Sequence, residues 1–311
     1  MARPLVTWVP SLVGSLQTFV CGYLDKFEET RARKARGIIM SHFERVWLGM
    51  LTRSTKYSGT NSRIVLIVNE DGHESLHHTF PDTSQDDQEQ GEANLYELDV
   101  ATQTIEPQNL GNSSVRVGIR GADMWKPEHV VLWGEQLTGG AILPVGIETD
   151  IETSLSTDQT EGNISIPVRS LALGTDRMRI NRLLMLMSTK KDKHAGTNSP
   201  IELQVSVGGA IVVDFDIPDT PQQEQERAQA NLYFVPVNNP FTKGDLTNNS
   251  ITLRIKGADM WTPASFFLFG LDDARGRPES MVPLVHEPTW PHGSMSTDSS
   301  EGDSSVTLTL A

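Results

Sequence analysis

One pentapeptide, present twice, constrains this chain more than any other feature: Gly121-Ala122-Asp123-Met124-Trp125 returns as Gly257-Ala258-Asp259-Met260-Trp261. Each copy follows an alternating run, Val115 to Arg120 or Ile251 to Lys256, and precedes an apolar run, Val130 to Trp133 or Phe266 to Phe269. Alternation marks a half-buried strand and the Gly-Asp segment marks a turn, so the same strand-turn-strand unit is written twice. The correspondence runs without a gap from Gly59/Gly196 through Pro81-Asp82-Thr83/Pro218-Asp219-Thr220 to Ala93-Asn94-Leu95-Tyr96/Ala230-Asn231-Leu232-Tyr233. It closes at Ser156-Thr157-Asp158/Ser296-Thr297-Asp298 and Glu161-Gly162/Glu301-Gly302, before the last strand of each unit.

Within a unit, short alternating runs are separated by clusters of Gly, Asn, Asp and Pro, with no sustained helical period. That pattern predicts an antiparallel β-sandwich. The expected strands include Val46 to Leu51, Ile64 to Val68, Leu183 to Met187 and Ile201 to Val207. A period above ~100 residues is too long for a solenoid, so a whole domain has been duplicated. The 311 residues accommodate two such domains. The expected organisation is all-β: an N-terminal arm over 1–43, a first sandwich over 44–170, a linker over 171–181 and a second sandwich over 182–311.

The arm has a different character. From Asp25 to Arg36 it is rich in helix formers and lacks Gly and Pro, and Glu28/Arg31 and Glu29/Arg33 stand at helical spacing. A helix is expected here. Its basic cluster Arg31, Arg33, Lys34 and Arg36 is either a solvated face or a docking surface for an acidic partner, including another copy of this chain.

With 40 Asp and Glu against 26 Lys and Arg, the chain carries a net charge of −14, which repels nucleic-acid backbones and anionic head groups. No nucleic-acid partner is expected. The lone Cys21 permits no intrachain disulfide and no thiolate metal cluster, and it reads as a small buried residue. The N-terminal apolar run is broken by Pro4, Pro10, Gly14 and Gln17, so neither a signal sequence nor a transmembrane segment is expected. The reading is a cytoplasmic protein, with export lacking a classical signal left open.

The second unit carries a family resemblance. Ala195-Gly196-Thr197-Asn198-Ser199-Pro200, the strand Ile201 to Val205, the segment Ala230 to Val235, and Ile251 to Gly257 with Trp261 resemble the PLAT/LH2 (lipoxygenase-homology) pattern. The first unit is similar through Ser58 to Ser62, Gly91 to Tyr96 and Trp125. The resemblance implies an eight-stranded sandwich used as a non-catalytic lipid-surface or protein-docking module, sometimes with calcium at the loop tips. Where that family places turn aspartates this chain has Asn61, Asn94, Asn198 and Asn231, which lack the charge calcium prefers. Asp82/Asp219 and Asp123/Asp259 could restore some of it, although repeated Asp and Asn at loop positions more often cap turns. No other cofactor is expected.

The remaining features each have a plain reading. Trp125 and Trp261 are expected to plug the two cores, the indole N–H bonded to a carbonyl; a membrane-inserting or partner-binding aromatic is the alternative. His73, His77 and His78 beside Glu74 look like a metal cluster, yet along a strand His78 faces away from the other two. The Asn-x-Ser sequences at Asn112, Asn163 and Asn248 matter only in a secreted chain. No phosphate-binding Gly-rich loop and no Gly-x-Ser-x-Gly elbow occurs, so no enzyme is expected. The expected function is a protein-interaction or self-assembly module that docks through its loops and arm. The alternatives are a peripheral lipid- or membrane-binding protein, with or without calcium, and a capsid-like shell subunit.

Overall fold

The computed structural model describes residues 42–80, 88–218, 225–273 and 276–311. The expected helical arm, with Arg31, Arg33, Lys34 and Arg36, lies outside the described residues, as do Asp82 and Asp219. Among the described residues the chain is built from strands and short 3-10 turns. No helix among them is long and apolar enough to cross a membrane.

The first unit contributes β1 (Phe43–Thr52), β2 (Arg63–Glu70), β3 (His73–Thr79), β4 (Ala93–Asp99), β5 (Val115–Arg120), β6 (Pro127–Gln136), β7 (Ile142–Glu148) and β8 (Ser165–Ser170). The segment between the units contributes β9 (Ala172–Leu173). The second unit repeats the set as β10 (Ile180–Thr189), β11 (Ile201–Val207), β12 (Ala210–Asp216), β13 (Ala230–Phe241), β14 (Ile251–Ile255), β15 (Pro263–Asp272), β16 (Ser280–Glu287) and β17 (Ser305–Thr307). Each unit is thus an eight-stranded antiparallel sandwich, as the duplication predicts. One layer has the order β4-β1-β6-β7 or β13-β10-β15-β16, and the other β3-β2-β5-β8 or β12-β11-β14-β17. In the first unit β8 changes sheets along its length, pairing β5 at Ser165–Val168 and then β7 at Arg169 and Ser170.

Each sandwich has its own core. Val46, Leu48, Met50, Val130, Leu132 and Trp125 fill the first, and Leu183, Met185, Met187, Phe266, Leu268 and Trp261 the second. Phe43 belongs to the first core, so the sandwich begins one residue before the expected boundary.

A third apolar cluster joins them. The alternate residues of the same strands, Trp47, Val131 and Trp133 on one side and Leu184, Leu186, Phe267 and Phe269 on the other, pack the two inner layers face to face. Both faces of β1, β6, β10 and β15 are buried, which is why these strands read as continuous apolar runs. Trp133 stands edge-on to Phe267 and Phe269 at centroid distances of 5.0 and 5.2 Å and lies nearly parallel to Trp47 at 6.1 Å. The described residues from 42 onward therefore form one four-layered body with three apolar cores, and the linker is part of it. Leu171 is buried in the shared cluster and β9 pairs with β16.

Matched residues meet one another across this junction. Ala93 pairs antiparallel with its counterpart Ala230, and Trp133 touches its counterpart Phe269. Such self-pairing is what a two-fold relation between copies produces. At Gly49 the symmetry is broken to make a fit: a Cβ there would collide with Leu186 Cδ2 and lie 2.9 Å from Val131. Leu186 is the residue matching Gly49, so one copy supplies the knob and the other the hole.

Candidate functional site

The repeated pentapeptide forms a corner, built alike in both units. Asp123 Oδ2 accepts the Asn61 N–H at 2.7 Å and Asp259 Oδ2 accepts the Asn198 N–H at 2.7 Å. The main-chain oxygens of the same aspartates accept the hydroxyls of Thr60 and Thr197. A Cβ on Gly121 or Gly257 would collide with the Ser62 or Ser199 hydroxyl, so both positions require glycine. Trp125 and Trp261 are fully buried. Their indole N–H groups donate to the hydroxyls of Thr52 and Thr189 at 3.0 Å, rather than to the carbonyl expected from sequence. A buried indole needs some acceptor, and a β-strand threonine beneath the ring provides it without interrupting the ladder.

The expected calcium ligands do not converge into a charged cage. Asn61 and Asn198 sit at exposed tips, whereas Asn94 Oδ1 already accepts the Gln88 N–H at 3.2 Å and Asn231 is buried. Asp123 at the first tip and Asp259 at the second each have one oxygen already bonded, and the second tip adds Glu226. No group of three or more His, Cys, Asp or Glu able to hold a metal occurs among the described residues. Calcium prefers six to eight oxygens including several charged ones, so these donors alone do not fit it. At the second tip a hollow of about 310 Å³ is lined by Lys193, His194 and Arg227 together with Glu226 and Asp259, so cations stand where further calcium ligands would be needed.

The histidines of β3 also part company. His77 Nδ1 lies 3.2 Å from Glu74 and its Nε2 lies 2.9 Å from the Arg120 guanidinium, a cation in the place a metal would take. His78 turns inward against Phe80, and burial lowers its pKa.

Two features that the sequence reading did not single out lie at the junction of the units. The first is a groove of about 650 Å³ along β4, lined by Asn94, Leu95, Lys190, Lys191, Arg227 and Ala264 among others. The second is a pair of histidines. The ring of His286 stands against Trp47 at 4.8 Å and Phe267 at 5.1 Å, and its Nε2 is buried without a hydrogen bond. His129 is 8% exposed, stacks edge-on against Phe234 at 4.6 Å and accepts the Asp150 N–H through Nδ1. Burial pushes both imidazoles down to about 4. Strand registers match His129 with Ser265 and His286 with Ile147, so neither histidine is part of the repeated scaffold. The signal available in the sequence was this difference between copies.

No family model matches the chain, and no curated protein matches it. Among solved structures, the alpha toxin from Clostridium absonum aligns with 43% of this chain at 16% identity and a TM-score of 0.34. The alignment spans 32% of the toxin's length. A likeness at that level carries no argument about fold or function.

Proposed function

We propose that this chain is a non-catalytic interaction or assembly module, docking a protein partner or further copies of itself through its loops and its N-terminal arm. The observation that supports this reading is the shared apolar cluster between the sandwiches. A buried, aromatic junction joins the two domains, which holds loops from both copies in a fixed relation. The differences between the copies then fall where a partner would read them, such as Lys190-Lys191 in place of Arg53-Ser54. Light scattering of the full chain and of a chain lacking residues 1–41, which leaves β1 and Phe43 intact, tests the arm: assembly is expected to be lost on truncation. An unchanged particle size would remove the arm from the mechanism.

A second reading, attachment to a lipid surface, has one observation in its favour. Tyr57, at the tip of the loop between β1 and β2, is 72% exposed, and Lys56 Nζ lies 4.6 Å above its ring. An exposed aromatic with an adjacent cation suits a membrane interface. Flotation with liposomes, with and without calcium, tests it, because protein that remains at the bottom in both conditions leaves the assembly reading alone.

A further inference from the structure

β4 is paired along one side only. Its register with β1 covers Ala93 to Asp99, whereas its other side meets β13 at the single pair Ala93/Ala230. In an antiparallel ladder every second residue points both its N–H and its C=O away from the partner strand, so β4 presents peptide groups to the groove beyond Ala93. An open edge of this kind is a template for one more strand.

The wall of the groove comes from the other copy and is basic. Lys190 and Lys191 lie just after the end of β10, and Arg227 precedes β13. None of the three has an ion-pair partner among the described residues, so no neighbouring carboxylate neutralises them. In a chain of net charge −14, three cations without an ion pair gather beside one open strand edge. The matched positions in the first copy are Arg53, Ser54 and Gln90, so this concentration of charge belongs to one groove and not to the scaffold. A hydrogen bond from Gln229 Nε2 to Glu92 Oε1, 3.4 Å long, ties the copies together at one end of it.

Resting on the interaction-module reading above, we infer that this groove docks an extended acidic peptide of a partner protein, which adds to β4 as a further strand with its carboxylates set against Lys190, Lys191 and Arg227. Main-chain pairing supplies the orientation. The cations supply the selectivity, because side chains of an added strand alternate and one acidic face can lie toward the wall.

The test is fluorescence anisotropy of the full chain with a fluorescein-labelled decapeptide alternating Glu and Thr. Saturable binding that weakens as salt is added is expected. It should fall about tenfold or more in the double variant Lys191→Glu/Arg227→Glu, whose thermal unfolding should match the parent because both side chains are exposed. It should also be lost when every second amide of the peptide is N-methylated, which removes strand pairing but leaves the charge. Absence of saturable binding, or binding indifferent to the double substitution or to N-methylation, would overturn the proposal. Phosphatidylserine vesicles form a further arm: vesicle binding that depends on Lys191 and Arg227, without peptide binding, would make this a lipid site and refute peptide docking. Light scattering on the same samples separates the two levels of the argument. Peptide failure with assembly intact sinks the groove alone, and loss of both sinks the interaction-module reading with it.

Discussion

Acid should destabilise the joined sandwiches as a whole through two histidines buried at their junction. His129 and His286 are held neutral by burial, with pKa values near 4 in the folded chain against 6.5 when unfolded. At pH 8 both are neutral in both states and contribute nothing to pH dependence. As the pH falls through 6.5 the unfolded chain takes up protons that the folded chain refuses, so stability drops, and the loss is complete only below pH 4. The full gap corresponds to about 3 kcal/mol for each histidine, since one pH unit is worth roughly 1.4 kcal/mol. At pH 5 the loss is roughly 2 kcal/mol each, or on the order of 4 kcal/mol together. For a body of this size that lowers the melting temperature by on the order of 10 °C between pH 8 and pH 5.

Other charges modulate the effect. Asp150 favours the protonated form of His129, whereas Arg182 and Arg53 oppose it, and Arg45 opposes protonation of His286. Glu128 and Glu287, whose pKa values burial raises, change stability in the opposite direction over part of the range, since acid relieves the cost of burying their charge. The comparison must therefore be with the variant His129→Ser/His286→Ile, which installs the residues of the matched positions and leaves the carboxylates alone. Calorimetry from pH 8 to pH 5 should show a steeper fall for the parent than for the variant. Equal slopes would refute the reasoning, whatever the absolute stabilities.

Packing at the junction gives three further expectations. Gly49→Val should destabilise the chain by about 1 to 3 kcal/mol in urea unfolding, and adding Leu186→Ala should recover part of the loss, because that leucine occupies the space. Trp133→Ala removes a fully buried ring between Phe267 and Phe269 and should cost about 3 to 5 kcal/mol. Thr52→Val and Thr189→Val each strand a buried indole N–H, and each should cost about 1 to 3 kcal/mol by chemical denaturation. Similar losses at the two sites would confirm that the pentapeptide corner does the same structural task twice.

Much of this architecture was legible in the residues. The Gly-Ala-Asp-Met-Trp pair and the gapless match around it specify a duplicated unit, and alternation with turn residues specifies its sheets. The turn at Gly and the core-closing Trp could be read from the pentapeptide, whereas the Ser62 or Ser199 hydroxyl over the Gly and the Asn61 or Asn198 N–H held by the Asp come from about sixty residues away. Fusion of the two sandwiches was written less openly. It lies in runs such as Val46-Trp47-Leu48-Gly49-Met50 and Phe266-Phe267-Leu268-Phe269, which are apolar on both faces where an ordinary sandwich strand would alternate. The basic groove could not be read from periodicity, because β4 comes from one copy and Lys190, Lys191 and Arg227 from the other. Pairing depends on a register that no local pattern specifies. The buried histidines are similar: their neutrality comes from partners more than a hundred residues away, such as Trp47 for His286 and Phe234 for His129.

The central claim is that two copies of one sandwich are locked into a single cooperative body by the cluster around Trp47, Trp133, Leu186, Phe267 and Phe269. Differential scanning calorimetry at neutral pH tests it most directly, by comparing the calorimetric with the van't Hoff enthalpy over residues 42–311. The account predicts one transition with the two enthalpies equal. Two resolved transitions, each with the enthalpy of a single sandwich, would contradict it.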